Sequence, residues 1–281
     1  MSTQTIQTAL LSGHSILETS SPSARMDAEL LLLYVLGKTR TYLYTHPEAS
    51  LTQDQWQQYQ DLLDKRHLGH PIAHLIQTKE FWSLPLRVTP DTLIPRPETE
   101  LLVELTLKWI GSTDHADILD LGTGSGAIAL ALASERPTWR IRAYDQSEAA
   151  LDVAQQNALN LKLTQVEFAQ SNWFQSIPLT PYDAIISNPP YIAENDEHLA
   201  QGDVRFEPQQ ALTSGKEGLD ALTEIIKTAT HYLKRGGLLL VEHGYDQKKA
   251  VATLFLQYGY SEVQSFQDLD NHDRVTIGRL I

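Results

Sequence analysis

Three stretches of the 281-residue chain set polar and flexible residues at the ends of apolar runs. The first is Asp120-Leu121-Gly122-Thr123-Gly124-Ser125-Gly126-Ala127. Glycines at that spacing let backbone approach a ligand closely, and a helix opening there offers free N–H groups. The string fits a dinucleotide fingerprint with Ala127 in its last place. It points to a nucleotide-like cofactor against Gly122, Thr123, Gly124, Ser125 and Gly126, without choosing which. The bland alternative is a tight strand–helix turn. The second candidate is Asp145, 19 residues after Gly126, where a carboxylate can accept from both hydroxyls of a ribose. A solvated loop residue capping the next helix is the competing reading.

The third stretch decides the chemistry. Asp183-Ala184-Ile185-Ile186-Ser187 runs straight into Asn188-Pro189-Pro190-Tyr191. Pro190 restricts Pro189 to extended geometry, and neither proline has an N–H, so the turn's carbonyls are held in fixed directions. The Asn188 side-chain oxygen and a turn carbonyl can together accept the two hydrogens of an NH2 group. Tyr191 can wall a flat substrate group. An NH2 acceptor beside a cofactor loop argues against hydride transfer and suits N-methylation of a planar amide or exocyclic amine.

These residues need a scaffold. From Glu98 onward the pattern alternates. Helices are expected over 98–110, 127–135, 148–161, 219–233 and 247–257. Strands are expected over 116–121, 139–144, 165–169, 182–187, 237–242, 262–267 and 274–279. That alternation implies a mainly parallel sheet covered on both faces, with ligands at the carboxyl ends of its strands. Residues 1–75 read as a helical domain. Asp27–Leu36 stops at Gly37, and Gln53–Arg66 sets Trp56, Tyr59, Leu62 and Leu63 on one stripe until Gly69 and Pro71. Between them, 76–97 reads as a hairpin linker, its strands within Phe81–Val88. The third domain is then 98–281.

Charge sharpens the division. Residues 1–90 carry 7 Lys/Arg and 8 Asp/Glu, a net of −1; residues 91–281 carry 15 and 27, a net of −12. Such a surface disfavours nucleic acid and anionic lipid. Cysteine is absent, which excludes disulfides, thiolate catalysis and zinc–sulfur sites. No apolar run reaches membrane-spanning length, and the polar start of the chain lacks the order of a signal peptide, so the expectation is cytoplasmic. His67, His70 and His74 suggest a metal, but Gly69 and Pro71 break any shared helical face; none is expected.

Asn-Pro-Pro-Tyr after the fourth strand resembles the signature of amino-methylating, S-adenosylmethionine-dependent enzymes, whose cofactor loop has the Gly-x-Gly-x-Gly form. Leu93-Ile94-Pro95-Arg96-Pro97-Glu98-Thr99-Glu100 narrows the resemblance to the release-factor glutamine methyltransferase family (PrmC/HemK). So do Glu80-Phe81-Trp82, Val204-Arg205-Phe206-Glu207-Pro208, Gly215-Lys216-Glu217-Gly218-Leu219-Asp220, Glu242 with Gln247, and Asp273-Arg274-Val275, in the family's order from about Ala24 to Arg279. The resemblance implies an α/β class I methyltransferase fold, Rossmann-like and doubly wound, with a small helical N-terminal substrate-recognition domain. It implies methyl transfer from S-adenosylmethionine to the amide nitrogen (N5) of the glutamine in the Gly-Gly-Gln motif of class I peptide chain release factors. Asn188, Pro189, Pro190 and Tyr191 would be catalytic. The glycine loop, Asp145, Asn172, Trp173, Asn188, Arg96 and Glu98 would hold the cofactor, Glu98 and Glu100 being also plain first-turn acids. The alternatives are a glutamine methyltransferase acting on a large-subunit ribosomal protein, an adenine-N6 nucleic-acid methyltransferase, and a non-catalytic cofactor-binding partner of release factors. Four residues depart from the family's habit: Asn172 where Asp is frequent, His243 for Ile, and Gln77 and Asn271 for Gly.

Overall fold

The computed structural model describes residues 4–281; Met1–Thr3, the start of the expected helical domain, lie outside the described residues. The chain divides into two compact units. One runs to Thr78 and includes Ala200–Phe206; the other is Lys79–Leu199 with Glu207–Ile281.

The smaller unit is built from α1 (Ile6–Leu17), α2 (Ala24–Leu36), α3 (Arg40–Thr45), α4 (Gln53–His67) and α5 (Ile72–Ile76). Thr5 and Thr52 cap α1 and α4 through reciprocal bonds with Thr8 and Gln55. α2 ends at Gly37 in the left-handed conformation. The α4 stripe faces inward as its spacing demands: Tyr59, Leu62 and Leu63 are buried against Ile6, Leu17, Leu31 and Leu32, with Trp56 at the edge. Buried Asp27 is satisfied by Arg66 at 2.7 Å, Ser21 at 2.7 Å and Ser23 at 2.9 Å. Arg66 also donates to Asp203 at 3.2 Å, holding the Ala200–Phe206 segment in this unit.

The hairpin consists of β1 (Thr78–Phe81) and β2 (Leu84–Arg87). The spacing starts its first strand at Phe81, yet Phe81 ends it. The turn is Trp82-Ser83, both at positive φ as a two-residue hairpin turn requires. Phe81 and Leu86 are fully buried in the larger unit's core, so the hairpin is part of that unit's packing rather than a free linker.

A 3₁₀ turn, Pro97–Thr99, leads into α6 (Glu100–Ile110). There follow β3 (Asp117–Leu121), α7 (Ala127–Glu135), β4 (Arg140–Asp145), α8 (Glu148–Leu161), β5 (Glu167–Gln170) and β6 (Tyr182–Ser187). The last elements are α9 (Asp220–Ala229), β7 (Leu233–Glu242), α10 (Lys248–Gln257), β8 (Tyr260–Gln267) and β9 (Asp273–Leu280). The sheet order is β5-β4-β3-β6-β7-β9-β8. Its first five strands are parallel, and β9 is antiparallel to both neighbours. Apolar clusters cover both faces. α9 stops four residues before the expected Leu233, because that residue already pairs with Tyr182 as the start of β7. The chain leaves β3 toward β4 on one side and returns at β6 on the other. A crevice therefore opens at the carboxyl ends of β3 and β6, where Leu121 stands beside Ser187.

Candidate active site

β3 ends by delivering the glycine turn into this crevice. Gly122, Gly124 and Gly126 all have φ between 56° and 83°, a region costly for residues with a Cβ. The turn is pinned to β4: Gly122 and Thr123 N–H groups both donate to the Tyr144 carbonyl, at 2.9 and 3.0 Å. Beneath it Asp120 is fully buried. Its Oδ2 accepts the Thr123 hydroxyl at 2.7 Å, while Oδ1 has no partner. Burial pushes this carboxyl up to about 7, against the pull of Thr123.

Asp145 closes β4 beside the turn. One oxygen accepts Gly124 N–H at 2.8 Å and the other Ser147 N–H at 2.9 Å. Burial raises its pKa, opposed by those backbone donors. Both sequence readings thus meet in one residue: Asp145 shapes the start of α8 and lines the cleft with acceptor capacity to spare.

The cleft is lined by Gly122, Gly124, Asp145, Asn172, Trp173, Asn188 and Pro190 among the expected residues. The Trp173 ring lies against Gly122, and its backbone sits at φ 47. Thr123, Ser125, Gly126, Pro189 and Tyr191 form the framework behind the lining. Arg96 turns elsewhere, paired with the buried Glu207 carboxylate, which also accepts Ile94 N–H at 3.0 Å. Neither Arg96 nor Glu98 lines the cleft. Glu100 accepts Trp82 N–H at 2.8 Å and so anchors the hairpin turn.

Asn188 donates through Nδ2 to the Thr99 hydroxyl at 3.2 Å, which leaves its Oδ1 as the free end. The Tyr191 hydroxyl donates to Glu242 at 3.1 Å, and Gln247 Nε2 donates to the Tyr191 carbonyl at 3.0 Å. The proline turn is therefore braced on both sides. Asp91, Thr92 and Leu93 before the 3₁₀ turn, with Pro208, Gln210 and Ala211 after it in sequence, also line the cleft. Sequence reasoning missed them, since they sit in irregular segments with no period to read. Leu93 and Pro208 entered the sequence reading only as ends of the Leu93–Glu100 and Val204–Pro208 stretches, with no site role given to them.

A glycine turn, an acidic residue ending the next strand and a proline turn at one switch point define a class I methyltransferase. Comparison with known proteins narrows this. The family model for the PrmC N-terminal domain matches residues 8–76, and that for the methyltransferase small domain matches residues 98–215. The chain is 51% identical to the release factor glutamine methyltransferase of Shewanella oneidensis over 263 residues, covering 94% of this chain and 92% of that protein. It is 50% identical to the enzyme of the same name from Salmonella typhimurium, covering 92% and 93%. A solved methyltransferase from Pyrococcus furiosus shares the fold, with a TM-score of 0.54 at 18% identity over 70% of this chain and 88% of that one. The chain belongs to the release factor glutamine methyltransferase family.

Proposed function

We propose that this enzyme methylates the side-chain amide nitrogen (N5) of the glutamine in the Gly-Gly-Gln motif of class I peptide chain release factors, using S-adenosylmethionine. The carrying observation is Asn188: its NH2 end is taken by Thr99, so an acceptor oxygen is left at the cleft beside a proline turn. The names of the relatives support a release factor over a ribosomal protein. The net charge of −12 over residues 91–281 weighs against a nucleic-acid substrate. We place the reaction in the cytoplasm, where release factors act.

The cleft fits the cofactor. Gly124 has open space where a Cβ would stand, Asp145 offers carboxylate acceptors to a ribose, and Trp173 and Asn172 can meet a planar base. S-adenosylmethionine would supply a methyl group on a sulfonium, electrophilic without acid assistance. The chain's own work is orientation. An amide nitrogen is a poor nucleophile because its lone pair is delocalised. Asn188 Oδ1 and the Pro189 carbonyl would each accept one hydrogen of the glutamine NH2 and fix the direction of that lone pair. Positioning is then the main source of rate, and these acceptors strengthen their hold as positive charge grows on nitrogen. The amide proton leaves to water.

The test is to incubate the enzyme with labelled S-adenosylmethionine and either release factor or DNA, then locate the label by peptide mass spectrometry. Label is expected on the glutamine. Asn188→Ala should fold and lower the rate by on the order of 10²–10³. Asn188→Asp keeps size and acceptor but adds charge, so it should change cofactor affinity without restoring the rate. Wild-type turnover by a folded Asn188→Ala protein would reduce the turn to a structural element.

A further inference from the structure

The two prolines of the Asn188–Tyr191 turn have no N–H to give, so the turn is secured through its carbonyls and flanking side chains. Its entry is held by Asn188 Nδ2 on the Thr99 hydroxyl. Its exit is the Tyr191 carbonyl. Among the described residues the only donor to that oxygen is Gln247 Nε2, at 3.0 Å. Gln247 directly precedes α10 and does not line the cleft.

The Gln247 amide fits only one way round. Its Oε1 accepts the Gly244 N–H at 2.9 Å, while three carbonyls converge on its NH2 end. Besides Tyr191 these are Glu217 at 3.3 Å and Gly218 at 3.4 Å. An NH2 has two hydrogens. The shortest contact gives one to Tyr191, and the Glu217 and Gly218 carbonyls share the other. Gly218 has φ 70, and a Cβ there would run into the Tyr191 carbonyl oxygen. The exit of the turn is thus fixed by a donor and by a glycine that lets it come so close.

Fixing that oxygen fixes more than one atom. Both prolines lock φ near −65°, so few dihedrals are free between Asn188 and Tyr191. Beyond Tyr191 the chain runs out to the Ala200–Phe206 segment of the helical unit and returns by Leu212. The two legs of this excursion are paired. Ile192 N–H donates to the Leu212 carbonyl at 3.0 Å, Ser214 N–H to the Ile192 carbonyl at 2.9 Å, and Glu194 N–H to the Gly215 carbonyl at 3.0 Å. That pairing begins only after Tyr191. Gln247 adds the missing link, from the last residue of the turn to the loop at Glu217 and Gly218.

We infer that Gln247 is a positioning residue for methyl transfer: by clasping the Tyr191, Glu217 and Gly218 carbonyls it holds the exit of the proline turn, and so sets the direction of the Pro189 carbonyl and the placement of Asn188. The inference rests on the methyl-transfer reading above. Because Gln247 stands outside the cleft, its loss should act on rate and not on binding.

The test uses the full chain and intact release factor. Gln247→Glu keeps the size and the acceptor for Gly244, but sets a carboxylate oxygen against three carbonyls in place of a donor. The single-turnover rate of methyl transfer at saturating release factor should fall by on the order of tenfold to a hundredfold, as a small misplacement of orienting groups does. The Kd for S-adenosylmethionine and the KM for release factor should stay near wild type. Gly218→Ala should give the same signature, because a methyl there forces the same carbonyl aside. A folded Gln247→Glu protein with the wild-type rate would overturn the inference, as would a loss carried by Kd or KM with the rate unchanged. If that variant does not fold, Gln247→Met, which removes the donor without adding charge, is measured in the same way, and a wild-type rate overturns the inference equally. Wild type that leaves glutamine unmodified sinks the underlying reading instead.

Discussion

Asn157 and Arg87 exchange two hydrogen bonds: Asn157 Oδ1 accepts the Arg87 N–H at 2.7 Å, and its Nδ2 donates to the Arg87 carbonyl at 3.0 Å. The same Nδ2 donates to the Ser125 carbonyl at 2.9 Å. One buried side chain on α8 thus pairs with β2 as a further strand would and ties the hairpin to the glycine turn. Asn157→Ala leaves these backbone groups without partners, at a cost of about 1–3 kcal/mol for each buried group left unsatisfied. Denaturant unfolding should show the loss, and calorimetry should show weaker cofactor binding as the turn loosens. Unchanged affinity in the variant would separate the hairpin from the cofactor site.

The hairpin's burial also sets where the chain can be cut. We propose that the helical unit up to Thr78 recognises the protein substrate and is dispensable for the cofactor. A protein starting at Lys79 keeps Phe81, Leu86 and the Arg87 pairing. It should bind S-adenosylmethionine yet methylate release factor poorly. One starting at Thr89 should unfold at lower temperature, because it deletes three fully buried side chains, Phe81, Leu86 and Val88, and strands Asn157. Full turnover by the Lys79 protein would remove the recognition role.

Much of this was legible in the residues. α7, α8 and β6 have the bounds their patterns imply, since small-residue packing, the Ser147 cap and a continuous apolar run mark their ends. The glycine turn, Asp145 and the proline turn meet because sheet topology obliges strand ends to converge. The hairpin start, the end of α9 and the loops supplying Asp91–Leu93 and Pro208–Ala211 were not legible. Each is settled by a partner distant in sequence, such as Tyr182 for Leu233. The role of Arg96 was hidden likewise, because Glu207, its partner, is 111 residues away. Thr99 carried no local sign of its bond to Asn188.

His243 is fully buried, and both its ring nitrogens are occupied. A carbonyl can only accept, so Nδ1 donates to Gly244; in a neutral ring Nε2 then accepts from Thr276, whose oxygen is left to take the Ser265 proton. The ring is neutral, and burial lowers its pKa from the ordinary 6.5. The unfolded chain takes up this proton at 6.5 while the native state does not. Stability is thus full above 6.5 and falls as pH drops below it, by about 1.4 kcal/mol per pH unit until the native ring titrates. His243→Ile removes the titration and strands the Thr276 hydroxyl. It should be the less stable protein at pH 8 and lose less than wild type on acidification to pH 5. Parallel slopes in urea unfolding across that range would show that His243 does not carry the acid sensitivity.

Gln77 and Asn271 both occupy the left-handed region, at φ 55 and φ 64. Gln77 is the residue at which α5 ends, the position where glycine releases a helix without steric cost. A glutamine there brings its Cβ too near the carbonyl oxygen, a penalty of roughly 1–2 kcal/mol that glycine avoids. Glycine recovers less than this, because it also gains freedom in the unfolded chain. Gln77→Gly should therefore raise stability by about 0.5–1 kcal/mol. Asn tolerates this region better, so Asn271→Gly should gain less. Its N–H and that of His272 already meet Asp268, at the backbone carbonyl and at the carboxylate respectively, so that turn is held independently of φ strain. Differential scanning calorimetry of both variants checks the order. A destabilised Gln77→Gly protein would mean that the glutamine side chain holds the end of α5 by contacts that outweigh its backbone strain.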